Sequence, residues 1–128
     1  MSHRPVHAAN LPKPVGPYSP GMVFERLVFV SGQGATDPAT GRLVGDDVAS
    51  QTEQCLRNVR AILEAVGSGL PYVLRCGVFL IDMKEFRNMN GVYQRVFGEH
   101  RPARTTVQVA GLPGEGLLVE IDAIAYVP

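Results

Sequence analysis

The sequence predicts an α+β fold in which two helices cover one face of a mixed sheet. Two segments carry apolar residues at three- and four-residue steps, short β-rich runs flank them, and a nearly continuous apolar run lies between the two. The length of 128 residues suits a single domain over 1–128, since no stretch shifts in composition. With 45% apolar residues and a mean hydropathy just above zero, the chain can bury a core without a disulfide or a structural metal.

Residues 10–21, NLPKPVGPYSPG, hold four prolines and two glycines, which forbids helix and favours an extended arm. The β-rich runs at 22–24 and 27–31 surround Glu25 and Arg26, a spacing for a tight hairpin, with Ser31, Gly32 and Gln33 ending the second strand. DPATG at 37–41 is a turn, because Asp bonds through its side chain, Pro sets φ and Gly tolerates positive φ.

The clearest helix runs over 47–66. Val48, Thr52, Cys55, Leu56, Val59, Ile62, Leu63 and Val66 form its apolar stripe, Asp46 or Asp47 is available as N-cap, and Gly67 is the stop. Residues 73–81 read as a central strand buried on both faces, with Arg75 at its less protected end. A second helix follows Asp82 as cap, carries Phe86, Met89, Tyr93, Val96 and Phe97 on one stripe, and stops at Gly98. Residues 104–109 and 117–127 read as a closing hairpin around AGLPGEG. The free sheet face then needs cover, which another copy of the chain could supply.

Twelve acidic and twelve basic residues cancel, so no global field draws nucleic acid or an anionic membrane, and copies of the chain repel one another little. Cys55 and Cys76 sit in apolar runs, where a thiol behaves as a small buried hydrophobe. Neither belongs to a CxxC, and His3, His7 and His100 are too scattered for zinc, so no metal is expected. The N-terminal residues lack a long apolar region and no window is long enough to span a bilayer, which makes the cytoplasm the default location.

Period-two alternation puts Arg104, Thr106 and Gln108 on one face of their strand, and Glu120 and Asp122 on one face of the next. A hairpin symmetric about Pro113 sets Thr106 opposite Glu120 and Arg104 opposite Asp122. Val119, Ile121, Ala123 and Ala125 form an apolar row that should take the helices. The charged side has two readings: a cross-strand ion pair on a solvated face, or an anion site at Arg104.

GPYSPG (16–21), VSGQ (30–33), NGVYQRVF (90–97), PARTTVQVAGLP (102–113) and VEIDAIA (119–125) occur together in order, and the set resembles the reactive-intermediate deaminase (Rid or YjgF) family over about nine-tenths of the chain. The resemblance implies a chorismate-mutase-like α+β fold, a homotrimer with sites in the clefts between neighbouring subunits, and no cofactor. It implies hydrolysis of 2-imino acids and their enamine tautomers to 2-keto acids and ammonia, with 2-iminopropanoate and 2-iminobutanoate as leading substrates.

Physically, Arg104 suits such a substrate because a guanidinium offers two parallel N–H donors to a planar carboxylate. Glu120 could orient the attacking water or return a proton to the departing amine. Where the best-known branch carries a cysteine this chain has Thr106, so water attacks directly, and the backbone carbonyl of Thr106 could hold it. Tyr18 matches the family's aromatic residue on the proline-rich arm, and Ser31 and Gly32 match cleft-lining positions that a plain strand-end turn explains almost as well. Asn90 matches a pocket asparagine, or else satisfies a core amide. The link from Phe97 to Arg104 is about three residues shorter than in the commonest branch. Rival functions are a small-carboxylate sensor, a chaperone-like protein and, less favoured by the neutral charge, a ribonuclease.

Overall fold

The computed structural model describes residues 2–128. Its strands are β1 (His3–Pro5), β2 (Gly21–Phe24), β3 (Leu27–Gln33), β4 (Val73–Leu80), β5 (Ala103–Gln108) and β6 (Val119–Tyr126), and its helices are α1 (Val48–Glu64) and α2 (Phe86–Phe97). All six strands join one sheet in the order β1-β2-β3-β6-β4-β5, with β4 and β5 parallel and the other neighbours antiparallel. The mixed sheet with two helices stands as the sequence predicts. The short edge strand β1 carries no strong periodic signal and was not anticipated.

Helix α1 starts where Asp47, in extended backbone, accepts the Ser50 N–H on Oδ1 at 2.7 Å. Gly67, at φ 82°, follows its end and turns the chain. Asp82 is a cap too, but of the one-turn 3-10 segment Met83–Glu85 that precedes α2, where it accepts from the Lys84 N–H at 2.9 Å. The core lies between the sheet and the helices: Cys55, Leu56, Val59, Ile62 and Leu63 of α1 and Met89 of α2 are fully covered, as are Val119, Ile121 and Ala125 of β6. The row expected to take the helices does so.

The closing hairpin is not formed. Strand β6 lies between β3 and β4, and β5 pairs with β4 instead. The reason is the helix between β4 and β5: a strand–helix–strand crossover returns the second strand parallel to the first and beside it. Strands β3 and β4 are likewise joined through α1, leaving between them the slot that β6 fills. Thr106 is therefore not opposite Glu120, nor Arg104 opposite Asp122; Phe79 and Gly77 of β4 hold those positions.

Strand β4 is covered on one face only within the chain. Cys76, Val78 and Leu80 are buried beneath the helices, whereas Phe79 on the other side is half-buried and Leu74 is 47% exposed. Leu27, Phe29 and Val107 are likewise exposed on the open face, an apolar row that no element among the described residues covers.

Candidate active site

Five of the residues singled out above fall into two crevices on opposite sides of the sheet, Tyr18, Gly32 and Glu120 in one and Asn90 and Arg104 in the other. The first, about 250 Å³, lies between the proline-rich arm and the open sheet face, and Tyr18, Gly32 and Glu120 line it. A bulge in β3 shapes it: between the pairs Val30–Ala123 and Gln33–Ile121, both Ser31 and Gly32 stand against Asp122. A Cβ at position 32 would lie 2.5 Å from Oε2 of Glu120, so a glycine there is what lets the carboxylate rest on the strand.

Glu120 is half-buried, and burial first, then the neighbouring charge of Asp122, raises its pKa above the ordinary carboxylate value. That shift brings a carboxyl group towards proton-transfer duty near neutral pH. Asp122 accepts the Gly77 N–H at 2.6 Å, and a Cβ at position 77 would collide with the same oxygen at 2.6 Å. Tyr18, 47% exposed, accepts the Val15 N–H on its hydroxyl at 3.2 Å and keeps its own proton free to donate. Ser31 does not line the crevice: its hydroxyl donates to Ser19 O at 2.7 Å and its N–H to Pro20 O at 2.9 Å, which pins the arm in place.

The second crevice, about 410 Å³, lies between α2 and the edge strand β5, lined by Asn90, Tyr93, Gln94, Phe97, His100, Arg101, Pro102 and Arg104. Arg104 is in register with Cys76 and, through it, Ala123, which places it on the helix side of the sheet. Its guanidinium carbon lies 4.8 Å from the Tyr93 ring centroid and 5.6 Å from that of Phe86, and Nη1 is 3.9 Å from Sδ of Met89. None of the ion pairs among the described residues involves Arg104. Of the two readings of the charged face, the internal ion pair is therefore excluded, and a half-buried cation faces a cavity without an anion.

Asn90 Oδ1 and the Tyr93 hydroxyl are buried without a hydrogen-bond partner, so Asn90 is not a satisfied core amide. The Tyr93 hydroxyl faces the Cys76 thiol at a geometry short of a hydrogen bond. Burial pushes that thiol up to about 11, and raises the Cys55 thiol as well, so neither cysteine is a ready nucleophile. Thr106 shares Arg104's side of β5 but lines neither crevice, and Gln108, next in that row, accepts the Met83 N–H at 2.8 Å.

Arg104 and Glu120 do not meet within one chain. Glu120 is in register with Phe79 and Val107, three residues along β5 from Arg104 and two strands away, on the other face. Three residues at about 3.3 Å and two strand spacings at about 4.8 Å separate the pair by more than a small acid can bridge.

Two buried amides were missed from the sequence. Gln51 donates to Gly45 O at 3.2 Å and Gly116 O at 3.0 Å and accepts the Leu118 N–H at 2.8 Å. Asn58 donates to Gly34 O at 3.1 Å and Thr36 O at 2.8 Å. Together they hold the loops that floor the Glu120 crevice. Their signal was present: seven residues apart, they share the apolar face of α1.

The family model described as endoribonuclease L-PSP matches residues 8–127. The chain belongs to that family, which is the YjgF and Rid family. This Rid-family chain is 46% identical to a RutC family protein of Pyrococcus horikoshii over 94% of its own length and 95% of the relative's. It is 38% identical to the human 2-iminobutanoate/2-iminopropanoate deaminase, covering 98% of this chain and 90% of that one. Among solved structures, the YjgF gene product of E. coli superposes with a TM-score of 0.91 at 37% identity, covering 98% and 99% of the two chains. E. coli TdcF with bound serine does so with 0.90 at 36% identity, covering 96% and 98%. Among the described residues no helix is long and apolar enough to cross a membrane.

Proposed function

We propose that this protein is a cofactor-independent deaminase of the cytoplasm that hydrolyses small 2-imino acids and their enamine tautomers to 2-keto acids and ammonia. 2-Iminopropanoate and 2-iminobutanoate are its substrates. The observation that carries the reading is Arg104: a half-buried guanidinium lining a cavity, with no internal ion pair. Such a group suits a small carboxylate, which would take two parallel N–H bonds. Relatives described as 2-iminobutanoate/2-iminopropanoate deaminases, at 38% identity in human and 41% in cattle, support the imine as the group acted upon.

The complete site assembles in a homotrimer, where the Arg104 crevice of one copy meets the Glu120 crevice of its neighbour. The separation of the two residues within one chain and the uncovered apolar row on the open face support this arrangement. Arg104 holds the carboxylate, Asn90 lies beside it, and Tyr18 of the neighbour closes the pocket. Water, held at the backbone carbonyl of Thr106, adds to the imine carbon to form a carbinolamine. Glu120, with its raised pKa, takes one proton from the water and passes it to the imine nitrogen as the carbinolamine forms. It then carries the hydroxyl proton to the same nitrogen, which leaves as ammonia while the carbinolamine oxygen becomes the keto group.

The test is to generate 2-aminoacrylate enzymatically and time pyruvate release with the purified protein present. Release faster than the spontaneous rate is expected. Keto-acid binding with no acceleration would instead make the protein a sensor, and RNA cleavage that survives contaminant controls would favour a ribonuclease.

A further inference from the structure

We propose that Tyr93, with Phe86 and Met89, positions Arg104 by clasping its guanidinium while leaving all but one of its N–H donors free for the ligand; the proposal rests on the reading of Arg104 as the carboxylate receptor. Phe86, Met89 and Tyr93 stand at positions i, i+3 and i+7 of the segment that becomes α2, one continuous stripe two turns long. The guanidinium lies along that stripe, 5.6 Å from one ring centroid, 4.8 Å from the other and 3.9 Å from the sulfur between them.

The chemistry of this clasp differs from that of the usual partner of a buried arginine. A carboxylate would hold the side chain, but it would neutralise the charge and occupy the same in-plane donors that a substrate needs. Aromatic faces attract the cation through their negative quadrupole without neutralising it, so the fork stays charged, and only the Nη1 N–H that points at the Met89 sulfur has a partner, a weak one. A ring buried to 8% exposure, as Tyr93 is, also denies the guanidinium other rotamers before ligand arrives, which reduces the ordering cost of binding. The tyrosine hydroxyl, buried and unpartnered, takes no part in this. The ring face, not the oxygen, is the functional group.

The experiment compares Tyr93→Leu, Tyr93→Phe and Phe86→Leu with the parent by calorimetric titration with 2-oxobutanoate, and follows the Arg104 Nε–H signal by ¹⁵N NMR. In the parent that signal should lie upfield, shifted by the ring currents of the clasp, and Tyr93→Leu should move it downfield. Tyr93→Leu should weaken keto-acid binding about ten-fold, equivalent to about 1.4 kcal/mol. Tyr93→Phe, which keeps the ring, should restore binding to within about two-fold, and Phe86→Leu should cost about three-fold. Phe86 is 37% exposed, so its loss tests the clasp even where Tyr93→Leu fails to fold.

Parent-like binding in both leucine variants, with binding abolished in Arg104→Ala, would overturn the clasp and leave the receptor reading intact. Unchanged binding in Arg104→Ala would overturn the receptor reading itself. A Tyr93→Phe protein as weak as Tyr93→Leu would assign the role to the hydroxyl and also overturn the clasp.

Discussion

Arg104 and Lys at the same position would carry equal charge, yet only the guanidinium presents a planar fork, so substitution here separates charge from geometry. Arg104→Ala should lower kcat/KM for 2-iminopropanoate at least about 100-fold, since charge-assisted bonds contribute about 1.5–3 kcal/mol each. Arg104→Lys should recover little of it. Both variants should keep the parent's thermal midpoint within a few degrees, because no internal ion pair is broken; paired melting curves and steady-state kinetics check this. At Glu120 the sign of the pH effect follows from its raised pKa. The folded state holds the proton more tightly than the unfolded chain does, so stability from this group is present at acidic pH and falls as pH rises through the raised value. Glu120→Gln should therefore match the parent near the ordinary carboxylate pKa and melt above it at pH 8, while turning over more slowly. A Glu120→Gln protein less stable than the parent at pH 8 would contradict the cost that burial and the Asp122 charge place on the ionised carboxylate.

The helices and most strands were legible residue by residue, because local periodicity already states which face is apolar. The pairing of β5 and β6 was not. A Gly- and Pro-containing stretch between two alternating runs has the local form of a hairpin loop, and only the α2 crossover, which sets β5 beside β4, makes that pairing impossible. The alternation itself survived the error: Arg104 and Gln108 do share one side of β5, and Glu120 and Asp122 one side of β6, but the two sides are opposite faces of the sheet. Within α1, Gln51 links the helix to the backbone at Gly45, Gly116 and Leu118. Gln51→Leu should lower unfolding free energy by about 3 kcal/mol, since it strands two carbonyls and one N–H. Chemical denaturation measures the loss, and a change below about 1 kcal/mol would mean that water replaces the amide.

Across the whole molecule, the open sheet face and the separation of Arg104 from Glu120 within one chain lead to two predictions. If each site draws Arg104 from one copy and Glu120 from the next, Arg104→Ala and Glu120→Gln proteins are each deficient alone but complementary together. Dissociating, mixing and reassembling them in equal amounts should restore about a quarter of parental activity, because random association forms one intact pairing in four. No recovery above the sum of the two separate activities would place both residues in sites of a different construction. Phe29→Asp, on the exposed apolar row, should shift the proposed trimer towards smaller species by light scattering and lower activity in parallel.

What the amino-acid order determined by itself was local. Apolar spacing located the helices and the face of β6 that they cover, the arm's prolines excluded helix, and the ordered motifs indicated the family. What the tertiary structure decided was which of these residues stand together. It placed Arg104 under α2 against two rings, Glu120 over Gly32 on the opposite face, and β6 in the slot between β3 and β4. Periodicity records the side a residue faces on its own strand, whereas strand order depends on crossovers and core packing summed over the whole chain.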